Sequence, residues 1–277
     1  MAVRAQKKIH KKVQKQGGFF RTVRIALLLL LLFAVAGDAW LTQLRSTDWD
    51  ESLWVSVYPI NADGSAATAD YIASLDNESF APIADFMARE AERYGITVTS
   101  PMQVRLAPEV RERPPTPPAN GQRLAVMGWS LQMRYWAWRT ARAYAGPPSD
   151  IQVFVQYFDP EQTDRVAHSL GLQKGLIGVV NAFASRKQSG QNNVIIAHEL
   201  LHTVGASDKY DPTNNQPLYP QGYADPDQDP LYPQTHAEIM GGRIPLSETE
   251  ADMPISLNKT LVGPETAADI NWLSPAT

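Results

Sequence analysis

The segment from His198 to Asp208 (HELLHTVGASD) limits what this 277-residue chain can fold into more tightly than any other stretch. Ile195 to Val204 reads as a helix, with Gly205 directly after it. Side chains four positions apart on a helix share one face, so His198 and His202 project together with Glu199 beside them. Two imidazoles so placed can chelate one zinc ion. Gly205 can take the left-handed conformation that stops the helix and turns the chain back, bringing Asp208 within reach of the same ion. A carboxylate there is a third ligand and leaves a fourth position for water, the open coordination a catalytic zinc requires. In such a composition HExxH alone would arise by accident about once in a few hundred chains, and HExxHxxGxxD on the order of once in tens of thousands. The extended pattern therefore carries the assignment.

There is no cysteine, which excludes disulfides, thiolate catalysis and cysteine-ligated zinc; any metal must be held by His, Asp or Glu. A competing third ligand is Glu238, as in a gluzincin, with His236 as a further candidate, although Glu238 lies among loop signals between Pro233 and Gly241. His168 has no partner at ligand spacing and reads as a solvated or capping residue, and His10 belongs to the leader. Asp211 or a backbone carbonyl can orient one imidazole, or Asp211 can simply serve the turn before Pro212. Asp225, Asp227 and Asp229 alternate in an acidic loop where calcium could bind, but Pro226 and a missing glycine depart from the EF-hand pattern and point to a solvated loop.

Strands are expected over Leu53–Ile60, Ile96–Leu106, Asp150–Phe158 and Leu176–Phe183, and a helix over Ser79–Tyr94, where Phe80, Ile83, Phe86 and Met87 share a face and Gly95 ends it. The prolines from Pro108 to Pro118 cannot supply a regular hydrogen-bond ladder and read as a surface loop, with a PxxP-type ligand as the alternative. Gln122–Tyr144 is expected to be a long helix that lays Leu124, Met127, Leu131, Tyr135 and Trp138 across a sheet, with Met133, Trp129 and Trp136 thickening the stripe, Arg134, Arg139 and Arg142 marking its solvated side, and a ligand-binding aromatic box as the alternative.

Eight of the 25 Lys and Arg residues fall within the first 24 positions, ahead of the apolar run Ile25–Gly37. This is the order of an export signal. The run is short against the roughly 17–25 residues of a spanning helix, and reaches that length only by taking in Asp38. Two outcomes stay open: cleavage at Ala34-Val35-Ala36, which releases a soluble product, or retention as a single-pass anchor with Trp40 at the interface. The chain thus divides into a basic cytoplasmic head (1–24), a signal anchor or signal peptide (25–45) and one domain (46–277) facing the periplasm or cell surface. A net charge of -4 argues against nucleic acid as a partner, because neutralising phosphates needs a basic surface in the folded part.

In HExxHxxGxxD, and in Gly205, Asp208, Tyr210 and Asp211 read as GxxDxYD, the chain resembles the metzincin clan of zinc peptidases, within it the immune-inhibitor-A and snapalysin-type branches. Met240, ahead of Gly241 and Gly242, is similar to the methionine turn that metzincins place beneath the metal, although an ordinary turn has the same composition. The resemblance covers the motif helix, its exit turn and this methionine. It implies an α+β fold: a mixed twisted sheet with a long helix and an active-site helix, and a small C-terminal subdomain closed by a helix, here Thr266–Leu273. It also implies Zn2+ held by His198, His202 and Asp208, Glu199 as general base, and Tyr210 as a candidate oxyanion donor. In metzincins an edge strand just before the metal helix pairs with extended peptide, and Leu176–Phe183 occupies that place. The implied activity is a zinc metalloendopeptidase acting on a peptide or protein substrate outside the cytoplasm. A non-catalytic metal-binding envelope or scaffold protein and a zinc hydrolase of peptidoglycan stay open; Glu199 argues against the first, since a structural site has no use for a base.

Overall fold

The computed structural model of the protein describes residues 20–30, 33, 47–118, 121–144, 146–173 and 175–273. The chain forms two units, Met1–Leu44 and Arg45–Thr277. In the first, residues 20–30 and 33 are helical; His10, the Ala34-Val35-Ala36 site, Trp40 and most of the basic head lie outside the described residues. Among the described residues no helix is long and apolar enough to cross a membrane.

The second unit is α+β. Its frame is a five-stranded sheet in the order β2-β1-β3-β5-β4, built from β1 (Leu53–Asn61), β2 (Met102–Leu106), β3 (Ile151–Phe158), β4 (Leu170–Leu172) and β5 (Ile177–Phe183). Four strands are parallel; β4 alone runs antiparallel, against β5. Parallel strands need cover on both faces, and the two-residue period of the strands supplies two apolar surfaces. Val55, Val57, Val153, Val155 and Val180 enter one core; Tyr58, Ile60, Phe154 and Ile177 enter the other. Each such side chain contributes about 1.5–3 kcal/mol on full burial.

The first core is closed by α1 (Ala66–Ala73), α2 (Ala81–Arg93) and α4 (Ser189–Thr203). Helix α1, which the sequence reading did not anticipate, is capped by the Ser65 hydroxyl accepting from the Thr68 amide at 3.0 Å. Helix α2 buries Ile83, Phe86 and Met87 as expected. The strand expected from Ile96 is confined to Met102–Leu106, because the ladder to β1 starts only after Pro101, which has no amide to donate.

The second core is closed by α3 (Arg123–Ala143), and here the expectation is corrected. Met133, Trp136 and Ala137 face the sheet, with the Trp136 ring edge-on to Phe154 at 4.5 Å, while Leu124, Met127, Leu131, Tyr135 and Trp138 face outward. Apolar residues recur at helical spacing on both sides of α3, so periodicity alone could not say which side the sheet takes. The proline-rich stretch is irregular, as expected, and packs on α3, where the Trp129 indole donates to the Pro115 carbonyl at 2.9 Å.

A second correction concerns the sheet edge. Strand β5 is paired on both sides, with β3 and with β4, so β4 is the edge strand. Beyond α4 the chain forms three two-residue ladders and the short helix α5 (Pro264–Asp269), which starts on proline and ends before the Leu273 expected for it.

Candidate metal centre

Helix α4 starts at Ser189, earlier than the motif alone suggested, and its first turns are clamped to the sheet layer. The Asn192 amide donates to the Phe183 carbonyl at the end of β5 at 2.9 Å, and Asn193 donates to the Ser79 carbonyl ahead of α2 at 3.0 Å. Val194, Ile196, Ala197, Leu200 and Leu201 bury the opposite side in the first core, which leaves the two histidines on the free face. Gly205 then takes φ +116°, and the Ala206 amide bonds back to the Leu201 carbonyl at 3.0 Å. The chain reverses as expected, and a Cβ at Gly205 would stand 3.1 Å from the Asp269 carbonyl.

The reversal brings three side chains together. The Nε2 atoms of His198 and His202 lie 3.1 Å apart, and Asp208 Oδ1 lies 3.2 Å from the first and 3.1 Å from the second. Each Nδ1 donates to a backbone carbonyl, His198 to Ile239 at 2.9 Å and His202 to Ala206 at 2.8 Å. A neutral imidazole with its proton on Nδ1 presents a bare lone pair at Nε2. With both imidazoles neutral, two such lone pairs and a carboxylate oxygen converge, an arrangement that a cation, a proton or a metal ion, would hold together. It is the one group of three metal-capable side chains among the described residues. Electrostatics agree: burial opposes a charge on His198, but Asp208 and Glu199 outweigh it and raise its pKa above the ordinary imidazole value. Burial likewise opposes ionisation of Asp208, and the two imidazoles overcome it and hold the carboxylate far below its usual range.

No known family model matches the chain, and no curated protein does.

Glu199 is buried, and its Oε2 has no hydrogen-bond partner. Burial raises its pKa, against the pull of His198 and His202. Strand β4 lies directly on this part of α4: a Cβ at Gly171 would fall 2.4 Å from His202 Cβ and 2.7 Å from the Glu199 carbonyl. The Tyr210 ring stands 6.2 Å from the His198 ring, beside the centre, and its pKa is raised by burial and by Asp208 and Glu199.

Met240 is fully buried, in a turn whose carbonyls brace the group at two points: Ile239 accepts from His198, and Met240 accepts from the amide of Lys209, next to Asp208, at 2.9 Å. Glu238 is not a ligand. Its carboxylate accepts from the amides of Gly241 and Gly263 and the hydroxyl of Thr266, at 2.8, 3.0 and 2.7 Å, and so ties the turn to α5. His236 bonds its neighbour Thr235, His168 is exposed, and neither joins the ligand group. Asp211 serves the turn, accepting from Thr213, so backbone carbonyls and not Asp211 orient the imidazoles. Asp225, Asp227 and Asp229 are exposed and gather no ligand set. The sequence reading missed Lys209, whose ammonium reaches Asp269 at 2.6 Å and pins the Asp208 loop to α5. No local signal marks that pair, because its partners stand 60 positions apart.

Proposed function

We propose that this protein is a zinc-dependent metalloendopeptidase acting on peptide or protein substrates outside the cytoplasm. The observation that carries the reading is the convergence of His198 Nε2, His202 Nε2 and Asp208 Oδ1, with both Nδ1 protons committed to backbone carbonyls. The resemblance of HExxHxxGxxD and of the Met240 turn to metzincins supports zinc as the ion and Asp208 as the third ligand. Zinc bound there supplies Lewis acidity toward a carbonyl and lowers the pKa of water. Glu199 holds an unpartnered, buried carboxylate beside that centre, with its pKa raised toward the range a general base needs. It takes the proton of the attacking water and passes it to the leaving amine. Tyr210, whose ring lies beside that of His198, supports the role of oxyanion donor that the resemblance implies. The outer edge of β4 supports pairing with an extended peptide, a role expected of Leu176–Phe183 and transferred here to residues 170–172. The basic, apolar leader supports placement outside the cytoplasm by anchor or signal peptide.

The test compares metal content and peptide cleavage of the full chain with those of Glu199→Gln. Retained zinc with hydrolysis reduced roughly 10²–10⁴-fold is expected. Equal hydrolysis in both proteins removes the enzyme reading, and cleavage of peptidoglycan but not peptides moves the activity to the other hydrolase class.

A further inference from the structure

The outer face of α3 is apolar, aromatic and basic at once. Leu124, Met127, Leu131, Tyr135 and Trp138 follow one another at three- or four-residue steps, so they line a single stripe, and each is between 52% and 82% exposed. At 3.6 residues per turn this stripe lies opposite Met133, Trp136 and Ala137, which face the sheet. A helix apolar all round is ordinarily covered all round, and a contiguous exposed apolar surface marks a contact.

Charge bears on what could cover it. The helix carries Arg123, Arg134, Arg139 and Arg142 and no acidic residue, whereas the unit from Arg45 onward has 17 Lys and Arg against 28 Asp and Glu. It is a basic strip on an acidic body. Two copies pairing through this stripe would set arginines against arginines, whereas an anionic surface complements them. Its aromatic members suit a headgroup layer: Tyr135 and Trp138 stack at 5.9 Å, and the Arg142 guanidinium sits 5.1 Å from the Trp138 ring. Arg139 shares its charge with Glu112 of the proline-rich loop. With four arginines along its length α3 is no membrane span, which leaves it to lie on a bilayer rather than across one. The same chain carries a leader suited to deliver it to a membrane.

We propose that the outer face of α3 docks onto an anionic phospholipid surface, with Leu124, Met127, Leu131 and Trp138 entering the acyl boundary and Arg123 and Arg142 holding phosphates. This assignment is independent of the peptidase reading.

Because the chain has no cysteine, one introduced cysteine is a unique label site. The full chain, reconstituted in phosphatidylcholine vesicles with and without phosphatidylglycerol, carries an environment-sensitive fluorophore at Met127→Cys or Leu131→Cys, with exposed Thr249→Cys as reference. Blue shift and quenching by nitroxide lipid are expected at 127 and 131, only with phosphatidylglycerol present, and not at 249. Arg123→Gln and Arg142→Gln should each lower the docked-to-free ratio about five-fold, and salt should lower it further. Three results overturn the proposal: quenching no greater at 127 and 131 than at 249, equal quenching with and without phosphatidylglycerol, or a blue shift that needs no lipid and grows with protein concentration, which would assign the face to a second copy.

Discussion

His198 and His202 are held in a defined tautomer by two carbonyls, and Asp208 is held by the turn that Gly205 permits. These four positions were legible in the sequence because their geometry is local: a helical period and a single left-handed residue generate it. Gly171 was not, because its constraint comes from α4, a segment distant in the chain. Gly171→Ala should force β4 off the helix, costing about 1–3 kcal/mol of overpacking strain. Denaturant unfolding and metal content measure this together; a variant with unchanged stability and full metal would show that β4 does not brace the centre.

At the scale of elements, α3 separates what pattern can and cannot tell. Its length and helicity were legible, but its orientation was not, since both of its faces carry apolar residues and only the sheet selects between them. Met133→Ala should cost about 2–5 kcal/mol of folding stability, whereas Leu131→Gln should stay within about 0.5 kcal/mol; urea unfolding of the two variants decides between the faces. A second element-level device is Asp63, just past β1, which accepts from the amide of Asp159 just past β3, from the Ser65 amide and from the Thr68 hydroxyl. Burial opposes its ionisation, but these donors outweigh it and hold the pKa below the ordinary value. A depressed pKa in the folded state means stabilisation above the unfolded value, near about pH 4, that is lost as pH falls through the folded one. Asp63→Asn should therefore be less stable than the parent at pH 7, with the gap narrowing below pH 4 in a series of urea titrations.

At the scale of the whole molecule, the candidate metal centre gathers segments from across the second unit: α4, the Asp208 loop, the Met240 turn and, through Lys209 and Glu238, helix α5. Stripping the ion with a chelator should lower the melting temperature as well as abolish hydrolysis, because a ligand at a thousand times its Kd stabilises the folded state by about 4 kcal/mol. Calorimetry with zinc restored afterwards checks that the loss reverses. The α+β class was legible from alternating and helical patterns. The edge assignment was not, because β4 is three residues long and announces itself only by pairing with β5. That pairing sets Gly171 opposite Gly178, with Leu170 and Leu172 on either side. If β4 slid by one position, a leucine would take the place of Gly171, where a Cβ would stand 2.4 Å from His202 Cβ. Helix α4 thus acts as a ratchet tooth for the strand beside it: the alignment of the sheet border and the packing around the His198–His202–Asp208 group are the same constraint, and neither can drift without the other.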